Sequence, residues 1–488
     1  MGALKGMLRP VRLDAPVRTS LARGGALSTL GLLAQGLLRF ATAVLVGRVA
    51  GRAELGVVAS AIATASILAL LWPTTSGSAA SKFLAAARGS DDPADTRAIA
   101  AHLRLRTLQT SGLLGLASMA LWLLIDDRTW PGAVCVAALT VAYSAYSFTR
   151  GVQFGAGQVL RATAWDVTSV LIGLAGLVAL LVAGARGPVL ILPLVAAYGI
   201  YALAGWPIGL RGGTPRERRR ELDVFVLLGT AGTIASTGFL QLSQISAKLV
   251  GGDEGAGQYG AALNLATPAS MLAASLSLVL LPSLAEAWGR GDEAEFHAQT
   301  NRATRALAVV MVAIFGSIIV GSRLLVELIW GPRFAGVEDI LPVLVVAILA
   351  TNLGVASVNA LITRSRRGML VTTGSSLLGM AVGVAVWLVV APRMGIAGVA
   401  LGYLCGTLVI AAIPVVVAWR AGGHRWGGVF LRVAAGLAAI GALLAVQRVA
   451  DLPTILDPVL VLVFLAGWWA MNRGDIARLP IPRPWRRG

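Results

Sequence analysis

Charge is what this chain has least of. Only 13% of its 488 residues are Asp, Glu, Lys or Arg, about half the share of a soluble domain. That is too few to cover a water-soluble surface of this size. Cysteine is nearly absent: Cys135 and Cys405 both lie inside apolar runs, which excludes a disulfide framework and a CxxC metal site. The three histidines, His102, His297 and His424, fall in polar segments, and none is paired at metal-ligand spacing. No GxxxxGK[ST] loop occurs, which excludes nucleotide hydrolysis by a P-loop. With no enzyme signature left, the expectation is a protein without catalysis and without a cofactor.

What fills the chain is apolar. Hydrophobic residues make up 57% and mean hydropathy is +0.78. Apolar runs bounded by polar turns predict fourteen spans: 26–47, 56–82, 107–125, 132–149, 164–184, 188–210, 224–248, 259–284, 306–322, 339–363, 369–391, 396–419, 428–446 and 458–472. All but the short last one are about the length a helix needs to cross a bilayer, and the count falls to thirteen or twelve if the C-terminal pair is interfacial. The expected fold class is an all-α integral membrane protein.

The net charge of +18 would suggest nucleic acid on a soluble protein. Here position decides otherwise. With the N-terminus inside, 29 Lys and Arg fall in cytoplasmic segments and 8 in outer ones, the bias that sets topology. Both termini are expected in the cytoplasm. Residues 1–25 read as a basic leader without a cleavage site and 473–488 as a basic tail. The run Arg216, Arg218, Arg219 and Arg220 sits between spans six and seven. It acts as a topology signal and attracts anionic lipid headgroups, with no nucleic acid required. Tryptophans at span ends, among them Trp122, Trp130, Trp206, Trp330, Trp419 and Trp426, read as an interfacial belt.

The same basic loop, residues 211–222, divides the chain into two six-span lobes, 26–210 and 223–419, with two additional spans in 420–472. A weak internal echo supports the division. Val46-Gly47-Arg48-Val49-Ala50-Gly51 precedes Leu55-Gly56, and Lys248-Leu249-Val250-Gly251-Gly252 precedes Tyr259-Gly260. Both first spans run outward, so the repeats are parallel, an arrangement suited to alternating access about a central site.

Charge inside a span is costly and marks function. Arg39 lies deep in span one, where it either contacts substrate or pairs with a polar neighbour. Lys82, at the inner end of span two, and Lys248, at the outer end of span seven, either snorkel or join a cavity. Gln241, Gln244 and Lys248 share one helical face, and Asn264 follows in span eight; this polar stripe lines a cavity or bonds another helix. Asp166 in span five is the main acid, a candidate for ion coupling, and Glu327 lies near the outer interface. Asn352 and Asn359 share a face of span ten as packing groups. Pro73, Pro193 and Pro268 interrupt spans two, six and eight; Pro73 and Pro268 occupy corresponding positions in the two halves and suit bending during gating.

Four stretches in order carry a resemblance. Leu45-Val46-Gly47-Arg48-Val49-Ala50-Gly51 with Glu54-Leu55-Gly56 is one. Gly257-Gln258-Tyr259-Gly260-Ala261-Ala262 with Leu281-Pro282-Ser283-Leu284-Ala285 is the second. Trp330-Gly331-Pro332-Arg333-Phe334 and Met394-Gly395-Ile396-Ala397-Gly398-Val399-Ala400 complete the set. Together, over roughly residues 20–420, the chain resembles polysaccharide exporters of the multidrug/oligosaccharidyl-lipid/polysaccharide (MOP) superfamily. The resemblance implies a V-shaped pair of six-helix lobes in a bacterial-type cytoplasmic membrane. It implies a flippase for a polyprenyl-diphosphate-linked oligosaccharide, driven by membrane potential or a Na⁺/H⁺ gradient. Its partners would be the lipid-linked oligosaccharide, anionic membrane lipids and a polysaccharide polymerase or glycosyltransferases. Spans one, two, seven and eight would line a cationic cavity, which suits Arg39 and Lys82. Lys248 departs from the acid common near that position. Lipid II, the peptidoglycan precursor, is a close variant of the substrate; a cation-coupled drug antiporter of the same superfamily and a non-transporting scaffold are the other readings.

Overall fold

A computed structural model describes residues 21–89, 92–126, 130–208 and 213–477 of the chain. The start of the expected leader (1–20) and the end of the tail (478–488) lie outside the described residues, as do two residues of the expected linker, 211 and 212.

Among the described residues the fold is helical throughout. The helices are α1 Leu21–Val49, α2 Arg52–Leu70, α3 Pro73–Gly89, α4 Pro93–Ile125, α5 Trp130–Gly155, α6 Val159–Val182, α7 Leu192–Gly205, α8 Arg216–Thr233 and α9 Phe239–Gly289. They continue as α10 Glu293–Val320, α11 Ser322–Ile329, α12 Val337–Arg364, α13 Arg366–Met394, α14 Ile396–Gly422, α15 Gly427–Val449 and α16 Asp457–Ile476. Among the described residues, thirteen helical segments are long and apolar enough to cross a membrane. One of them, Arg216–Ala274, has 59 residues, about 88 Å of helix, far more than a bilayer needs. It is two spans. Gly252 breaks it with φ 60 and ψ −160, and Gln244 Nε2 donates to the Ala256 carbonyl at 3.0 Å. Twelve residues of straight helix would separate those groups by about 18 Å, so the chain doubles back at Gly252.

Local chemistry explains the boundaries. Asp92 caps α4, its carboxylate accepting from the Ala94 and Asp95 amides, and Asp292 caps α10 through the Glu295 amide. Gly51, with φ 104 and ψ −178, opens α2 in the same glycine-only region as Gly252. Pro73 starts α3 after the helix ends at Leu70, so span two is two helices. Pro193 differs from expectation: it stands in the first turn of α7, where its missing N–H costs nothing, and introduces no kink. At Pro268 the backbone stays helical.

The echo between halves has a structural form. A Cβ at Gly56 would run into the Asp253 carbonyl, and one at Gly257 into the Arg52 carbonyl. Gly51 and Gly252, Arg52 and Asp253, and Gly56 and Gly257 are each 201 positions apart, so the two contacts are the same contact with the repeats exchanged. The matching register is therefore Gly56 with Gly257, three residues from the Gly56–Gly260 match expected from sequence. Small residues let the two backbones touch, and an Arg52–Glu254 ion pair of 2.5 Å closes the crossing.

The chain packs as two compact units, one holding residues up to Asn264 with Val390–Val399, the other the remainder. Residues 213–222 of the expected linker fall inside the first unit, helical from Arg216, because α8 drives Leu222 and Val226 into a core with Phe83, Leu84, Leu103, Phe148 and Val152. In the second unit, α15 and α16 pack on α10. Gln447 donates to the Val320 carbonyl and Trp468 to that of Val309, each at 2.9 Å. The periphery is apolar: Leu124 is 79% and Leu203 81% exposed, sensible only against lipid. The expected tryptophan belt is partly inside the protein. Trp122, Trp330 and Trp426 are at most 2% exposed; Trp426 donates to Asn301 at 3.0 Å, whereas the indole N–H groups of Trp122 and Trp330 are buried without an acceptor among the described residues. Trp130 and Trp469 do face outward, at 61% and 59%.

Candidate functional site: a buried cationic cluster

Within the first unit four helices each turn a polar face to one spot. α1 supplies Gln35 and Arg39, four residues apart. α5 supplies Tyr143, Tyr146, Arg150 and Gln153, a stripe at helical spacing. α6 brings Asp166 and Ser169, and α7 brings Tyr198 and Tyr201.

Asp166 is fully buried and fully engaged. Its Oδ1 accepts from the Tyr146 hydroxyl at 2.9 Å and its Oδ2 from Arg150 Nε at 3.0 Å. Gln35 Nε2 donates to the Asp166 carbonyl at 3.2 Å and to Ser169 Oγ at 2.8 Å. The Tyr201 hydroxyl donates to Gln153 Oε1 at 2.7 Å. The rings pack on each other, with Tyr146 centred 4.8 Å from Tyr198 and 4.7 Å from Tyr201.

Arg39 completes the group without a carboxylate. Its guanidinium lies 5.0 Å from the centre of the Tyr143 ring, with the Tyr198 hydroxyl among its neighbours. Among the described residues the cluster's only ion pair is Arg150–Asp166. Two guanidiniums against one carboxylate leave a net positive charge. Arg39 lies ten residues from the end of α1, about 15 Å along the helix, which puts that charge deep in the apolar zone. A ring face and a phenol offset part of the cost of burying it; an anion would offset more. Chemically, the cluster carries one cation more than its acid neutralises.

Two of the sequence candidates, Arg39 and Asp166, are thus brought together. The others lie elsewhere. Lys82 sits midway along α3, its ammonium 4.5 Å from the Phe225 ring centre and 5.2 Å from that of Phe83. Lys248 is 5% exposed, bonded to Asp126 at 2.6 Å and to Asp253, with its ammonium 5.3 Å from the Trp122 ring centre. Gln244 bonds the returning arm of its own hairpin, as above, and Asn264 donates to the Gly260 carbonyl at 2.8 Å. The Gln241–Lys248 stripe therefore turns its Gln244 and Lys248 toward protein, while Gln241 and Asn264 stay partly exposed. Glu327 is exposed at the end of α11. Among the described residues no cluster of His, Cys, Asp and Glu has the makings of a metal site.

Arg150 and the four tyrosines went unread in the sequence. Span four was expected to end at residue 149, one position before Arg150, because a hydropathy boundary stops at the first charge. The spacing of Tyr143, Tyr146, Arg150 and Gln153 was the available signal.

No protein-family model matches the chain, and neither does any curated sequence. Solved structures do. An inward-facing multidrug resistance MATE family transporter of the MOP superfamily superposes with a TM-score of 0.65 at 15% identity, over 81% of this chain and 94% of that one. A MOP superfamily transporter from Pyrococcus furiosus, described as having a binding pocket of reverse polarity that suggests a different function, gives 0.59 at 14% identity, over 82% and 95%. The outward-facing multidrug resistance MATE transporter gives 0.57 at 14%, with the same coverages. The fold is MATE-like. At these identities the likeness speaks for architecture, and the chemistry must come from the residues themselves.

Proposed function

We propose that this protein is a membrane transporter that flips an anionic lipid, a polyprenyl-diphosphate-linked oligosaccharide, out of the cytoplasmic leaflet by alternating access. The observation that carries the reading is the unneutralised Arg39 in the same tyrosine cluster as an Asp166 already occupied by Arg150 and Tyr146. A diphosphate offers the two things this cluster lacks, negative charge for Arg39 and oxygen acceptors for guanidinium and phenol donors. The superposed folds supply the transporter context, and one of those transporters carries a pocket of reverse polarity. With the cell interior negative, outward movement of an anion is downhill by about 2.3 kcal/mol per charge per 100 mV, so membrane potential alone can drive it. Lys82 and Gln241 remain candidates for steering the headgroup, and Pro73, at the junction of α2 and α3, and Pro268 for gating.

A second reading, an organic-cation antiporter, is favoured by the multidrug transporters among the superposed structures and would use Asp166 as its cation and coupling site. The ion pair with Arg150 works against it, since a carboxylate already neutralised holds a further cation weakly.

Mass spectrometry of lipids from cells depleted of the protein separates the two. A polyprenyl-diphosphate oligosaccharide is expected to accumulate, which also identifies its sugar and tells lipid II from a surface polysaccharide precursor. An unchanged lipid profile together with retained cationic dye would replace this reading with the second.

A further inference from the structure

The cytoplasmic end of the first unit holds an open cleft of about 720 Å³ at the start of α8. Its polar side carries Arg216, Arg219 and Arg220, and its apolar side Trp72, Val224 and Leu227. Two acids also line it, and neither cancels the arginines. Asp223 is engaged by His102 at 2.9 Å and Arg106 at 3.3 Å, and Glu217 is one charge against three. Arg218, the remaining member of the run, is turned to Asp95 at 2.8 Å and Glu221 at 2.6 Å. Arg219 is oriented by its Nε, which donates to the Thr214 carbonyl at 2.8 Å; Thr214 is buried and tied to the Ala98 carbonyl at 2.8 Å. The indole N–H of Trp72 is buried without an acceptor among the described residues.

We propose that this cleft is a binding site for one anionic phospholipid of the cytoplasmic leaflet, its phosphate held by Arg216, Arg219 and Arg220 and its chains laid on Val224 and Leu227. The charge run accounts for topology by itself. A topology signal, however, needs neither a walled cleft nor an apolar ledge: Val224 is 46% and Leu227 61% exposed one and two turns beyond the arginines. Guanidinium forks match phosphate oxygens, and the ledge lies where acyl chains would follow. A bound lipid would fasten α8, and through Leu222 and Val226 the core of the first unit, to the membrane surface. The site stands apart from the Arg39 cluster and is independent of what the protein transports.

The test is native mass spectrometry of the full-length protein in detergent, titrated with phosphatidylglycerol and phosphatidylcholine. The wild type is expected to prefer phosphatidylglycerol by about tenfold or more, as three interfacial cationic groups allow. Arg216→Gln, Arg219→Gln and Arg220→Gln together are expected to abolish the preference, whereas Arg364→Gln, Arg366→Gln and Arg367→Gln, an equal charge loss at another cytoplasmic turn, leave it intact. If the first triple variant fails to fold or inverts, the triple lysine variant, which keeps the topology charge, is expected to lose about threefold of the preference with the forks. Millimolar glycerol 3-phosphate is expected not to displace the lipid. Equal binding of the two lipids by wild type, an unchanged preference in the lysine variant, equal loss in the control variant, or displacement by glycerol 3-phosphate would each overturn the proposal.

Discussion

Both units bury charge at helix ends, Lys248 with Asp126 and Asp253 in the first, but they differ in what lies at depth. In the first, Asp166, Arg150 and Arg39 lie inside the helical bundle, wrapped in tyrosine. In the second, the buried acids stand at helix ends. Asp457, fully buried at the start of α16, takes Arg323 at 2.7 Å and Gln447 at 2.9 Å. Asp475, near its other end, takes Arg305 at 3.0 Å and Arg432. Between these clamps, among the described residues, the second unit pairs neutral groups: Asn352 Nδ2 donates to Ser270 at 3.2 Å and Asn359 Nδ2 to Ser277 at 2.8 Å. Each unit sets two guanidiniums against one carboxylate, Arg305 and Arg432 at Asp475 and Arg150 and Arg39 around Asp166; what differs is the place, helix ends against the interior of the bundle, where excess charge costs more. In the second unit these ion pairs tie α15 and α16 to α10 and α11.

The comparison is tested most severely by removing one acid from each side. Asp457→Ala strands Arg323 and Gln447 and is expected to cost about 3 kcal/mol of stability or more, seen as a large fall in melting temperature. Transport per folded molecule should persist. Asp166→Asn keeps the shape of its site and removes its neutralising charge. Affinity for a diphosphate lipid is expected to hold or rise severalfold in a binding titration, where a cation carrier would lose all transport. Smaller effects follow for the neutral pairs. Asn352→Ala and Asn359→Ala are each expected to cost about 0.6 kcal/mol by thermal denaturation, with no change in transport.

The smallest effect concerns pH. His424, in the turn between α14 and α15, stacks on Trp426 with ring centres 4.4 Å apart and faces His297 at 5.3 Å. Burial, and then the neighbouring His297, hold its pKa below the ordinary histidine value. The unfolded chain therefore takes up the proton first, and stability of the second unit is lost as pH falls through the histidine range. His424→Phe is expected to flatten that dependence in melting curves taken between neutral and mildly acidic pH.

Much of this was legible beforehand, and the exceptions have physical reasons. Apolar runs and basic turns located the spans, since a bilayer imposes both. Arg39 and Asp166 stood out because charge in an apolar run is rare. Their meeting was not legible, because 127 positions separate them and the link runs through tyrosines that read as ordinary apolar-run residues. Lys248 suggested a cavity from its own helix alone; its acids, Asp126 and Asp253, sit at turns where carboxylates are unremarkable. The repeat register slipped because Tyr259-Gly260 looks more like Leu55-Gly56 than Ala256-Gly257 does, although backbone contact selects for the glycine that touches.

The account rests on Arg39 meeting an anion, and reconstituted transport tests that most directly. Proteoliposomes carrying a labelled polyprenyl-diphosphate lipid would be compared for wild type, Arg39→Lys and Arg39→Gln, each checked for unchanged melting temperature. Flipping is expected to fall at least about tenfold in the glutamine variant, the worth of one buried charge-assisted contact, and to survive in part with lysine. Flipping at the wild-type rate by a well-folded Arg39→Gln protein would contradict the account.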